Sequence, residues 1–174
     1  MTFSIDRAQN ESRKLPSKLS TITTYRLQDA VNANNPKVYP INMSMGGGNM
    51  GFTLNGATFD MMSTAPNEIA QCDTLEVIKV TNINGTPQVP HPIHFHGRQF
   101  QILDRTITPA GLANWNTVKD GYMDRGWKDT FLIMPGESVR ILVRHSKYPG
   151  MYVYHCHNLP HEDMGMMRNF LLVP

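Results

Sequence analysis

From Val38 onward, apolar and polar positions alternate in short runs. VYPINMSM is followed by the glycine-rich GGGNMG and then by FTLNG, a pattern that predicts a hairpin with a glycine-rich connection. TLEVIKVTN, RQFQILDRT, DTFLIM, SVRILVRH and MYVYHCH read as further strands, with turns at NGTP, MPGE and KYPG. No stretch carries the 3.6-residue apolar period of an amphipathic helix. Short strands at fairly regular spacing predict an all-β fold, specifically an antiparallel β-sandwich. Residues 1–37 read differently. They are polar, rich in Ser, Thr, Asn and Lys, and carry Pro16 and Pro36, which predicts an N-terminal linker arm ahead of a single domain over 38–174.

Composition agrees with one core. The chain has 174 residues, 40% of them hydrophobic, enough for one well-buried domain plus an arm. With 16 Lys+Arg against 14 Asp+Glu, the net charge of +2 argues neither for a nucleic-acid footprint nor for a polybasic membrane anchor. No apolar run is long enough for a membrane span, and the opening MTFSIDRAQNESRK lacks the apolar core of a secretory signal. Twelve methionines are many for this length. Most read as flexible core filler, although Met43, Met45 and Met50, with Met61 and Met62 nearby, also fit a thioether surface for Cu(I).

The chemistry is concentrated in two stretches. HPIHFHG at 91–97 and HCHNLPH at 155–161 hold six of the seven histidines. Strand side chains alternate between faces, so His94 and His96 point one way, and His155 and His157 share a face opposite Cys156. If the two strands are neighbours, these four histidines converge and Cys156 is left for a second site. His91 has the other parity, and Pro92 is expected to end regular pairing there and let it turn toward the cysteine. Cys156 is followed by His161 and then Met166, so one loop could wrap a single ion. Two histidines, one thiolate and an axial thioether make the composition of a blue copper site; zinc gains little from a thioether. Met164 and Met167 compete with Met166 for the axial place. A cupin-like HxH site would account for His94 and His96 but leaves HCH unexplained. His145 reads as an ordinary hydrogen-bonded histidine and Cys72 as a small buried hydrophobe.

In order along the chain, HPIHFHG, GWKDT at 126–130 and HCHNLPHEDMGMM at 155–167 resemble the copper motifs of the C-terminal cupredoxin domain of multicopper oxidases. That family includes laccases, spore-coat laccases, bilirubin oxidases and cuprous oxidases. The resemblance covers roughly 38–174 and implies a Greek-key, cupredoxin-like β-sandwich. It implies that His91, Cys156, His161 and Met166 bind a type 1 copper, His94 a type 2 copper, and His96, His155 and His157 a type 3 pair. It further implies that electrons from a small reducing substrate pass through His155-Cys156-His157 to the trinuclear site, where dioxygen becomes water. Glu162 would belong to the proton route, and export from the cytoplasm would be expected.

The sequence also departs from the pattern. The family's trinuclear site takes eight histidines, and only His94, His96, His155 and His157 are present for it. The N-terminal cupredoxin domains of the same oxidase, or another copy of this chain, are therefore the expected partners. KLPSKLS at 14–20 resembles a connector between domains, which favours a fragment of a longer oxidase. A stand-alone blue copper electron-transfer protein is the alternative.

Overall fold

The computed structural model describes residue 4 and residues 6–46, 49–83 and 88–174, and of residues 45, 46, 49 and 50 the backbone alone. The NGTP turn at 84–87, the centre of the glycine-rich connection and the side chains of Met45 and Met50 lie outside the described residues.

Among the described residues the chain forms ten strands and two five-residue helices. The strands are β1 (Lys37–Gly46), β2 (Asn49–Leu54), β3 (Ile69–Gln71), β4 (Leu75–Asn82), β5 (His91–Phe95), β6 (Phe100–Ile107), β7 (Thr130–Ile133), β8 (Glu137–Arg144), β9 (Gly150–Cys156) and β10 (Met167–Val173). The helices are α1 (Leu112–Asn116) and α2 (Leu159–Asp163). One sheet has the order β2-β1-β4-β8-β6 and the other β3-β10-β9-β5-β7. The predicted hairpin is present, with Ile41 opposite Leu54 and Met43 opposite Phe52.

The expected sandwich forms, but it is not wholly antiparallel: β1 runs parallel to β4, and β10 parallel to β3. Neither pair is joined by a hairpin. A strand that arrives by a longer crossover is free to enter in either direction. The short strand β3, the strand β10 and both helices were not anticipated from the apolar pattern.

The core fills the space between the sheets. Ile41, Phe52, Leu54, Ile93, Phe95, Phe100, Ile141 and Tyr154 are all buried within it, as is Met43, which is therefore core filler and not part of an exposed thioether surface. Truncating one of its phenylalanines to alanine would cost about 3–5 kcal/mol. Strand β4 is buried on both faces, because Tyr25, Leu27, Ala30 and Ala33 from the preceding segment pack on its outer side with Leu75, Val77 and Leu142. Asn32 completes that junction, donating to Val77 O at 2.9 Å and accepting from Val77 N at 2.7 Å.

A chain of hydrogen-bonded polar groups crosses one end of the sandwich. Lys37 Nζ donates to Glu76 at 2.7 Å, His145 Nε2 donates to the same carboxylate oxygen at 2.8 Å, and Arg98 donates to His145 Nδ1. That pattern requires a neutral imidazole protonated at Nε2. Burial, with Arg98 adding to it, holds the His145 pKa below its ordinary value. Burial opposes ionisation of Glu76, but its bonds from His145 and Lys37 outweigh that and hold its pKa below the usual carboxylate range.

Both groups make the fold sensitive to acid. The unfolded His145 takes a proton that the folded one refuses, so stability falls as pH drops below about 6.5. The contribution of Glu76 is present above about pH 4.3 and is lost as pH falls through its lower folded value. Thermal melts between about pH 7 and pH 5 should show a falling midpoint, and His145→Gln should flatten that part of the slope. An unchanged slope would exclude His145 as a source of it.

Candidate metal centre

The register of β5 against β9 sorts the candidate donor side chains. Ile93 faces Cys156, His94 faces His155, and Phe95 faces Tyr154. Directly opposed residues of an antiparallel pair point to the same side. Cys156 therefore enters the core with Ile93, while His94 and His155 emerge on the outer face. His91 shares the parity of Ile93 and is 1% exposed. Parity alone turns it inward: Pro92 does not end the pairing as expected, since it stands opposite Leu132 of β7. It sits near the start of its strand, where a missing N–H is tolerated, and its carbonyl accepts from His157 N at 2.7 Å.

The inner pocket is made by three elements. His91 comes from the first residue of β5, Cys156 from the last of β9, and His161 from α2 in the loop leading to β10. Cys156 Sγ lies 3.4 Å from His91 Nδ1 and 3.6 Å from His161 Nδ1. The three donor atoms all lie within 4.8 Å of one another, as a single ion requires. Met166 is fully buried. Its backbone is fixed at both ends, by Met166 N to His161 O at 2.9 Å and Cys156 N to Met166 O at 3.1 Å. Its competitor Met164 is 44% exposed. Gly165, at φ 89°, permits the tight return between them. Phe52 covers the pocket, its ring centroid 4.9 Å from that of His161.

Burial keeps this pocket uncharged without a metal. It pushes the Cys156 thiol up to about 11 and, with His161 adding to it, lowers His91 to about 4. His161 is lowered by burial too. Neutral imidazoles offer free lone pairs, and a cation would supply the positive charge that the thiolate lacks.

The outer cluster is more open. His94, His96 and His155 bring their donor atoms within 4.8 Å of one another, with His96 Nε2 and His155 Nε2 3.0 Å apart. His157 stands beside them, its ring 5.2 Å from that of His155 and 5.6 Å from that of His94. His155 is buried, but His96 and His157 are exposed. Burial, and then the neighbouring His94 and His155, hold the His96 pKa below its ordinary value. Glu162 reaches this side, its Oε2 3.2 Å from His155 Nδ1.

Two contributors had no role in the sequence reading although their motif was noted. In GWKDT, the Asp129 carbonyl and the Thr130 hydroxyl lie 3.0 and 2.8 Å from His94 Nδ1. They fix the ring so that Nε2 faces the cluster. Phe52 gave no sequence signal beyond being an apolar strand residue.

Two curled five-stranded sheets with a thiol-and-imidazole pocket at one end define a cupredoxin-type domain. The family model of multicopper oxidases matches residues 18–174, and the chain belongs to that family. It is 31% identical over 153 residues to a multicopper oxidase of Arabidopsis thaliana, an alignment covering 69% of this chain and 25% of that protein. It is 37% identical over 112 residues to a laccase of Bacillus subtilis, covering 58% and 21%. The crystal structure of a Pediococcus acidilactici multicopper oxidase superposes with a TM-score of 0.67 at 32% identity, covering 95% of this chain and 31% of that one. The chain thus spans about a quarter of the length of these relatives. Copper is the metal that the family implies, and the donor set fits it: soft sulfur with imidazole, close enough for one ion.

Thr130→Val removes the hydroxyl and keeps the shape. It should weaken metal binding at the outer cluster about 10–100-fold, a typical cost for losing such a supporting bond, and leave the thiolate pocket unaffected. Metal titration of the wild type and Thr130→Val by calorimetry measures this; equal affinities would deny Thr130 any orienting role.

Proposed function

We propose that this chain is the C-terminal copper-carrying domain of a multicopper oxidase that oxidises a small reducing substrate with dioxygen. The observation that carries this reading is the single β9 backbone that presents Cys156 inward and His155 outward, 180° apart in strand parity. His91, Cys156 and His161 would hold a type 1 copper, with Met166 as its axial partner. His94 would hold a type 2 copper, and His96, His155 and His157 would hold a type 3 pair. Copper in these two places supplies one-electron oxidation of the substrate and four-electron reduction of dioxygen to water.

The chain's own residues have definite tasks in this reading. Ile93, Phe95 and Phe52 exclude water from the thiolate pocket, where Cys156 is 0% exposed. His161, half-buried and in ring contact with the buried Phe52, is the ligand nearest the surface and the natural entry for substrate electrons. The peptide bonds between Cys156 and its flanking histidines join the two sites covalently. Glu162, a half-buried carboxylate beside His155 Nδ1, holds and passes protons at the outer cluster. The outer cluster's missing ligands come from the N-terminal cupredoxin domains of the same oxidase or from a second copy of this chain. Export from the cytoplasm is part of the proposal; among the described residues no helix is long and apolar enough to cross a membrane.

The test is copper loading of the purified chain, followed by copper analysis, visible and EPR spectra, and oxygen uptake with a phenolic donor. One blue copper per chain is expected, with the blue band absent in Cys156→Ser at unchanged secondary structure. A folded, copper-loaded chain without a blue band would overturn the type 1 assignment. A blue centre reduced by the donor without oxygen uptake is the behaviour of a domain whose outer cluster lacks its other half. Oxygen uptake by the chain alone would point to self-association instead.

A further inference from the structure

The rings packed behind Cys156 carry chemistry that metal binding does not use. Tyr154 lies on the same inner face of β9, two residues away and so roughly 7 Å along the strand. Its ring is sandwiched between Phe95, at 5.1 Å and 7° from parallel, and Tyr39, at 5.2 Å. Its hydroxyl donates to Glu68 Oε1 at 2.7 Å, far from solvent. Glu68 is 1% exposed and is held by Arg168, whose Nε and Nη2 donate at 2.9 and 2.6 Å. A second stack leads outward. The Phe170 ring lies 6.5 Å from Tyr154 and 5.2 Å from Tyr152, and Tyr152 Oη donates to Tyr148 O at 3.0 Å. Tyr152 is half-buried and Tyr148 is exposed.

An oxidised phenol is a far stronger acid than the phenol itself. In apolar packing, the ring therefore gives up an electron readily only when its proton has somewhere to go at the same moment. A carboxylate already accepting that O–H bond is such a place.

We propose that Tyr154 is a redox-active tyrosine, with Glu68 as its proton acceptor and the Phe170–Tyr152 stack as its electrical connection to the surface. A one-electron oxidant takes an electron from the Tyr154 ring, the O–H bond breaks, and the proton bonds to Glu68 Oε1. The products are a neutral phenoxyl radical, a neutral Glu68 carboxyl and the oxidant reduced by one electron. Recovery is the reverse. A one-electron reductant in solution, of the ascorbate class, delivers an electron through Tyr152 and Phe170, and Glu68 returns the proton. Arg168 favours that return, because a neutral Glu68 leaves its buried guanidinium unpaired. The oxidants to be met here are partially reduced oxygen species released when dioxygen reduction stalls, and draining them through Tyr154 spares the Cys156 sulfur from irreversible oxidation. This use rests on the oxidase reading above; the Tyr154–Glu68 couple itself does not.

The experiment therefore uses the copper-free full chain, oxidised by photogenerated tris(bipyridine)ruthenium(III) and frozen for EPR at successive times. A long-lived tyrosyl radical with the sharp hyperfine pattern of a single fixed ring is expected. Tyr154→Phe, which keeps the stacked ring, should lose that component and leave only short-lived radicals from exposed tyrosines. Glu68→Gln should slow its formation about 100-fold, as loss of a positioned base does. If Glu68→Gln does not fold, the wild-type rate in D2O decides: slower formation supports loss of the O–H proton together with the electron, and equal rates overturn it. A long-lived signal that survives in Tyr154→Phe, or none in the wild type, overturns the proposal whatever the copper sites prove to be.

Discussion

The pairing of β5 with β9 is the constraint on which everything else rests. With Ile93 opposite Cys156 and His94 opposite His155, the thiol lies between the sheets and His94 and His155 lie on the outer face. A slip of one residue would exchange the faces of a whole strand, since the side-chain period is two. It would bury His155 in the aromatic core and expose Cys156 and Tyr154 to water. The register is held where slippage would cost most. Phe95 and Tyr154 stack as a cross-strand pair within that same ladder, and Phe100 and Phe131 extend the stack edge to face.

The pocket's third donor needs a different kind of support, because His161 sits in the connection between two strands. The loop is tied back to strands at each end of its ligand-bearing part, through Cys156 N to Met166 O and His157 N to Pro92 O. A second segment braces it from outside. Phe59 N donates to Gly165 O at 2.9 Å, and the Asn169 side-chain amide donates to the carbonyls of Asp60, Met61 and Ser63 at 2.9 to 3.2 Å. Beneath that brace lies the Glu68–Arg168 pair. Two buried charges are a weak source of net stability after desolvation. Their geometry nonetheless fixes the 3-10 turn at Pro66–Glu68 against β10, and with it the segment that covers the loop.

What was legible in the sequence was whatever depends on local period. Strands β1 and β9 follow alternation, β4 and β8 show as short apolar-rich runs, and the parity of the two histidine motifs separates an inner from an outer donor set without any knowledge of the fold. The inward turn of His91 was expected for a local reason, the ring of Pro92, and occurs for a more general one, strand parity. Features set by long-range placement could not be read. The direction of β1 beside β4 depends on how the chain crosses between sheets. Strand β10 is hard to read because MRNFLLV has no apolar–polar alternation and runs on from a methionine-rich loop only two residues after Gly165. Helix α2 is five residues long, too short to show a helical period. The bond from Thr130 to His94 joins residues 36 positions apart. That bond depends on β7 lying beside β5, which no single stretch encodes.

The two donor sets differ most in enclosure, and that difference bears on what the domain can do by itself. Cys156, His91 and Met166 are each at or below 1% exposed, so their pocket is finished by this chain's own core. His96 and His157 are exposed on the sheet's outer face, with no element of this chain among the described residues standing over them. A metal bound by nitrogens from one side only keeps open coordination positions toward solvent. Closing them needs donors from a facing surface, and each donor added from that surface makes metal binding and association a single linked equilibrium. In the proposed reading, the outer histidines thus serve as the joint that holds the oxidase's domains together as well as half of its oxygen site. The inner pocket, needing no partner, carries the function that a separated domain retains.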